Sequence, residues 1–297
     1  MLKTVPNAPS PHGSAPPRRR APGGPRWARI VDGALPVGLA AAGLLAPDHR
    51  LLFYAALAVG FIGIAGTVLA GAAVVTLLSE RHGPRLRIQG PRLRPAPVLH
   101  EAADTALAAF IAACFLAWPL WRSWTGRPIG LVWSVDEAGG LPLVLIQTTA
   151  AVFVLDAWLY WKHRLLHTRL LFPFHRGHHV FRDPTALAGF AVGPVESVLT
   201  FWPLLLVAIP QAKHWAPLYF ALVGGFVALN YYLHCGIRIA LLERLLPPLL
   251  LNTSAFHNLH HSHADVNFGE ALTLWDRICR TRLEDLRAAR GQHAARE

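Results

Sequence analysis

"LLFYAALAVGFIGIAGTVLAGAAVVTLL" occupies residues 51–78 without a charge or a proline. A bilayer-spanning helix needs roughly 20 mostly apolar residues, and this run is longer. Lipid offers no partner for backbone N–H and C=O groups, so such a run closes its own hydrogen bonds as a helix. Five more runs follow the pattern, at 30–47, 105–121, 141–161, 195–210 and 215–233. They pair into three expected hairpins: 30–47 with 51–78, 105–121 with 141–161, and 195–210 with 215–233.

The composition agrees. The 297 residues are 53% hydrophobic and 15% charged, whereas a soluble domain carries about a quarter charged residues. The net charge of +11 would suit nucleic acid if it formed one compact face. Instead the basic residues fall in the tails and between the apolar runs, as cytoplasmic loops require. Arg18, Arg19, Arg20, Arg26 and Arg29 precede the first hairpin, and Arg81, Arg85, Arg87, Arg92 and Arg94 follow it. Both segments are therefore expected in the cytoplasm, with an even number of spans between them. Counting onward puts the later histidine clusters on the cytoplasmic side too. Arginine greatly outnumbers lysine, which points to a GC-rich bacterial genome and hence the cell inner membrane.

The expected fold is all-α: a polytopic transmembrane helical bundle with a cytoplasmic histidine-rich helical cap. Four regions are expected. Residues 1–29, rich in Pro, Gly and Arg, are a disordered basic tail. Residues 30–121 hold N-terminal transmembrane helices, 141–281 a catalytic domain, and 282–297 a charged C-terminal tail. Cys114, Cys235 and Cys279 are scattered, with no C-x-x-C pair, which argues against thiolate metal sites and a disulfide framework.

Histidines interrupt this apolar chain in three clusters. His163 and His167 form H-x3-H; His175, His178 and His179 form H-x2-H-H; His257, His260 and His261 repeat H-x2-H-H; and His234 ends the last apolar run. Residues at i, i+3 and i+4 share a helix face, so each cluster is expected to aim its imidazoles at one point. Neutral imidazole suits zinc, copper, iron and nickel. The set exceeds the four ligands of one tetrahedral zinc and suits two metal ions. Unbound, so many adjacent imidazoles would repel on protonation.

"DAWLYWKHRLLH" (156–167), "FHRGHH" (174–179) and "FHNLHHSHADVNFGEALTLWDRI" (256–278) resemble the fatty acid hydroxylase/sterol desaturase superfamily of integral-membrane di-iron enzymes. The resemblance covers roughly residues 145–281. It implies two iron ions near the cytoplasmic membrane face, held by His163, His167, His175, His178, His179, His257, His260 and His261. His234 is a further implied ligand. Some members have H-x3-H there; here Asn230 stands four residues before His234, as a weaker ligand, an orienting group for bound water, or a packing residue. After the Trp-Asp landmark, Cys279 and Arg280 replace a common aromatic-glycine pair.

Two carboxylates stand where they can support ligands. Asp156 shares a helix face with His163 and His167 and is expected to orient an imidazole, since ligating histidines usually donate their other N–H. Glu196 opens an apolar run, as a helix N-terminal charge or as a partner of a ligand.

A saturated C–H bond gives ordinary side chains no acid, base or leaving group, so its oxidation belongs to a cofactor. The expected activity is O2-dependent hydroxylation, or desaturation, of a lipid such as a fatty acyl chain or sterol, drawn from the bilayer. The chain carries no flavin, haem or iron–sulfur motif, so a separate donor of ferredoxin or cytochrome b5 type is expected to supply electrons. A zinc-dependent membrane hydrolase is the first rival, but no cluster holds the internal Glu of H-E-x-x-H. A metal transporter or haem electron-transfer protein is the second. Transport ligands belong near mid-bilayer, whereas these clusters flank the spans.

Overall fold

The computed structural model describes residues 24–83, 85–90 and 96–294. The chain is almost entirely helical. Five helical segments are long and apolar enough to cross a membrane, and the chain is an integral membrane protein. Arg18–Arg20, Arg92 and Arg94, and the expected tail up to residue 23, lie outside the described residues.

The first crossing is α1 (Arg26–Ala41), extended by a 3-10 turn to Leu45. It begins inside the expected tail, so residues 26–29 are helical. Asp48 pairs with Arg127 at 2.6 Å beside the turn into α2 (Arg50–His82). The long helix α2 packs along α3 (Val98–Trp124) through small side chains. Ala56 of α2 and Ala113, Cys114 and Ala117 of α3 are buried together with Phe53 and Trp121. In lipid, where apolar burial drives little association, close backbone approach of this kind supplies the packing. The opposite face of α2 exposes Leu51, Ile62 and Leu77, which suits contact with acyl chains.

After α3 the chain forms the two-residue strand β1 (Leu131–Val132) and then α4 (Leu141–Leu166). The short helix α5 (Phe172–His175) and two 3-10 turns, His178–Val180 and Ala186–Phe190, follow. The expected span at 195–210 takes a different form. It is α6 (Pro194–Phe201), only eight residues long, continued as a 3-10 helix over Trp202–Ala208. The 3-10 form rises about 2.0 Å per residue, against about 1.5 Å in an α-helix, so the short segment gains reach. It leads to β2 (His214–Trp215), which pairs with β1 in parallel. The small sheet thus marks the end of the bundle opposite the histidines. From there α7 (Ala216–His234) returns.

The remaining chain caps the histidine end: α8 (Ala240–Leu245), α9 (Ser254–His263), α10 (Leu274–Cys279) and α11 (Leu283–Ala294). The segment expected as a C-terminal tail is therefore helical through Ala294. A second core joins α2, the 186–190 turn and α7 around Ala72, Leu187, Phe190, Tyr231 and Ile237. Gly71 makes this contact possible, because a Cβ there would lie 2.9 Å from the Tyr231 ring.

A candidate metal centre of nine histidines

All nine histidines singled out by the sequence meet at one end of the bundle. The last turn and C-cap of α4 present His163 and His167, while α5 and the turn after it present His175, His178 and His179. His234 ends α7, and α9 carries His257, His260 and His261. Thr253 caps α9, its hydroxyl accepting from Phe256 N–H, and so fixes where that helix starts.

The rings sort into two groups. Ring nitrogens of His163, His167, His175, His179 and His260 lie within 4.8 Å of one another, and those of His178, His234, His257 and His261 do the same. His179 Nε2 is central to the first group, 3.0 Å from His175 Nε2, 3.1 Å from His167 Nε2 and 3.2 Å from His260 Nε2. In the second, His257 Nε2 lies 3.0 Å from His234 Nε2.

This division corrects the expectation that each cluster aims at one point. In both H-x2-H-H clusters the i and i+4 residues join one group and the i+3 residue joins the other. In α9, at 3.6 residues per turn, His257 and His261 diverge by about 40°, whereas His260 and His261 stand about 100° apart; His175–His179, which runs from α5 into a 3-10 turn, divides in the same way. Two boxes facing each other in this way interleave, and each contributes to both groups.

The opposite edges of the rings fix which nitrogen carries the proton. A carbonyl only accepts, so a ring nitrogen facing one must hold the hydrogen. His163 Nδ1 donates to Phe268 O (2.8 Å), His260 Nδ1 to Val266 O (2.7 Å), His178 Nδ1 to Ala191 O (3.3 Å) and His234 Nδ1 to Asn230 O (3.0 Å). Each of those rings then directs a bare Nε2 lone pair inward, and His163 Nε2 and both nitrogens of His261 are buried without a partner. Lone pairs converging in a buried site suit a cation. The donor set therefore fits two metal ions of the imidazole-binding kind.

Electrostatics keep the donors in their ligating form. Burial first, and repulsion from neighbouring rings second, lower His167 to about 3 and His179 to about 2. The same causes push His175, His178, His257 and His261 well below the ordinary imidazole value. These side chains are neutral at physiological pH, as metal ligation requires.

The carbonyls at Val266 and Phe268 are themselves held in place. Asp276 accepts from Phe268 N–H (2.9 Å), Gly269 N–H (2.7 Å) and the Thr281 hydroxyl (2.6 Å). Asn267 sits between them in the left-handed region at φ 57°, which Asn tolerates better than most residues. Its side chain donates to Phe256 O and accepts from Leu283 N–H.

The three supporting residues expected from the sequence take distinct places. Glu196 is buried, with Oε2 at 2.6 Å from His175 Nδ1. Asn230 lines the same cavity as His234 and His257; its carbonyl accepts from His234 Nδ1, and its Oδ1 is buried without a partner. Asp156 touches none of the nine rings. Its Oδ1 accepts from Leu272 N–H at 2.9 Å, so it ties α4 to the loop before α10.

A small cavity of about 40 Å³ opens beside both groups, with the apolar walls Phe190, Phe201 and Phe226 facing His163, His178 and His257. Its polar wall was missed from sequence. Lys162, buried next to His163, pairs with Glu270 at 2.7 Å and donates to Thr200 Oγ1 at 3.0 Å. A lysine directly at the end of an apolar run, beside His163, was the available signal, since such charges are costly unless paired.

Comparison with known proteins bears on this site. The family model described as fatty acid hydroxylase matches residues 148–281, a stretch holding all nine histidines. Over that stretch the chain resembles the fatty acid hydroxylase/sterol desaturase superfamily. Over 152 residues the chain is 32% identical to mouse (Mus musculus) lathosterol oxidase, covering 48% of each chain. It is 31% identical over 151 residues to a Delta(7)-sterol 5(6)-desaturase of Gibberella zeae, covering 49% of this chain and 40% of the relative. It is also 28% identical over 142 residues to methylsterol monooxygenase 1 of Danio rerio, covering 46% and 47%. The chain thus spans about half the length of these relatives or less. No solved structure matches it.

Proposed function

We propose that the chain is an oxidoreductase that hydroxylates, or desaturates, an aliphatic C–H bond of a membrane lipid such as a fatty acyl chain or sterol. It does so with O2 and two iron ions, one held by His163, His167, His175, His179 and His260, the other by His178, His234, His257 and His261. The carrying observation is the convergence of nine neutral imidazoles, their lone pairs directed inward, into two adjacent groups. The names of the relatives, a sterol oxidase, a desaturase and a monooxygenase, favour the same class of reaction.

When bound, iron supplies the redox chemistry that side chains lack. Hydroxylation consumes O2, two electrons and two protons for each C–H bond oxidised, and releases one water; desaturation consumes the same and releases two. The protein's own contribution is to orient and to shield. The carbonyls of Phe268, Val266, Ala191 and Asn230, with Glu196, fix the ring orientations. Phe190, Phe201 and Phe226 offer an apolar wall to a hydrocarbon group and keep water from it. The Lys162–Glu270 pair satisfies two charges at the rim of that cavity without placing a net charge there.

Electrons come from a separate donor of ferredoxin or cytochrome b5 type, for which basic loops on the cytoplasmic side provide an electrostatic match. The histidine end therefore faces the cytoplasm, across the inner membrane of a bacterial cell.

The test is twofold. Protein purified in detergent should hold two iron ions per chain, and lipids from expressing cells should gain one oxygen or lose two hydrogens relative to a His178→Ala control. Stoichiometric zinc without iron, together with O2-independent activity, would overturn the reading.

A further inference from the structure

Residues 85–90 lie outside the matched family segment, yet they reach every chain segment that carries the four-histidine group. Gln89 Nε2 donates to Arg182 O at 2.6 Å and to Asn258 Oδ1 at 3.0 Å; Asn258 follows His257 on α9. Arg87 Nη2 donates to both oxygens of Asp183, at 2.6 and 2.7 Å, on the strap that leaves His178. The backbone joins in beyond His234: Ile88 N–H donates to Gly236 O at 3.0 Å and Arg238 N–H to Leu86 O at 2.8 Å.

The fit is close. Arg87's side chain is only 4% exposed. Gly236 has φ +70°, and a Cβ there would meet Pro184 O at 3.2 Å and the Arg87 guanidinium at 3.5 Å. The five-histidine group is framed from elsewhere, by Val266 O, Phe268 O and Glu196.

We infer that residues 85–90 staple together the segments bearing His178, His234 and His257, with Arg87 and Gln89 as positioning residues for one metal site of the two. The inference rests on the dinuclear reading above. A planar, bidentate guanidinium fixes both distance and angle, so the staple adds a tie among three backbone segments, of which the one ending at His234 serves the four-histidine group alone. The two sites are then unequal: one is built by the matched segment alone, the other also depends on a loop of the N-terminal half.

The test is iron release from the full-length, iron-loaded protein in detergent to a ferrous chelator, followed in time for wild type, Arg87→Met, Asp183→Asn and Gln89→Leu. Wild type should hold two ions per chain. In the variants one ion should leave about ten-fold faster, in line with lost ligand support, while the other leaves at the wild-type rate. Retention of that slow ion also reports an intact fold. Gln89→Leu alters one exposed side chain and leaves the Arg87–Asp183 pair in place, so it decides the case if Arg87→Met fails to fold. Both ions accelerating together, or neither, overturns the staple. Fewer than two ions in wild type overturns the dinuclear reading itself, and the staple with it.

Discussion

Glu196 Oε2 lies 2.6 Å from His175 Nδ1, with both side chains buried. Among the described residues this is the shortest contact between a carboxylate and any of the nine rings. A ligand whose far nitrogen meets a carboxylate is held in one tautomer and made more basic. Glu196→Gln should leave the fold intact and lower iron affinity or lipid oxidation about 10–100-fold. Iron content and product yield check this. Wild-type values for both would leave the contact without a role at the metal.

His179 and His261 separate the two groups experimentally. His179 Nε2 sits within 3.2 Å of three other ring nitrogens in the first group, whereas His261 offers a ring nitrogen to the second, and neither of its nitrogens has a hydrogen-bond partner. His179→Ala should lose the ion of the five-histidine group, and His261→Ala the other. Metal analysis giving the same residual stoichiometry and release rate for both variants would contradict the division.

Asp276 supports the ligand-orienting carbonyls from beneath. Asp276→Ala would leave the buried Phe268 and Gly269 amides unpaired, at about 1–3 kcal/mol for each. The expected result is a lower Tm and weaker iron retention together. Gly269→Ala should mimic it, because a Cβ there would clash with Leu272 O and come 2.8 Å from Asp276 Oδ2.

Asp156 gives a contrasting expectation. Its contact is the Leu272 amide, 2.9 Å away, which an asparagine oxygen also accepts. Asp156→Asn should therefore keep Tm and iron near wild type. Asp156→Ala should lower Tm by removing the tie between α4 and the 271–272 loop. A large loss of iron in Asp156→Asn would instead restore the imidazole-orienting role expected from its helix face.

Removing the metal should loosen the whole histidine end, since a ligand bound only by the native state stabilises it by about 2.7 kcal/mol at 100 times Kd. A chelator should lower Tm, and ferrous iron should restore it. A Tm indifferent to both would mean that the rings pack stably without ions.

Much of this was legible in the sequence because lipid and metal both impose strict patterns. An uncharged run such as 51–78 has one outcome in a bilayer, and three clusters of histidine in an apolar chain have few explanations. What was hidden depends on contacts between distant segments. The sequence spacing puts His175, His178 and His179 on one side of a turn, but which ring meets which ion depends on the box facing them. Residues 195–210 read as one regular helical span because hydropathy does not distinguish α from 3-10 geometry. Arg87 read as a topological charge, and nothing local showed that Asp183 lay opposite it.

Helix α2 has one more consequence. Its 33 residues extend about 50 Å, against a hydrocarbon layer of about 30 Å. Val68 and Gly71 stand level with Tyr231, near the end of α7, so the last turns of α2 climb past the point where α7 stops at His234. The ions would then sit at headgroup depth rather than among the acyl tails. A molecule oxidised close to its polar end reaches them with little displacement, whereas one attacked far down its tail would first have to be drawn up out of the oil.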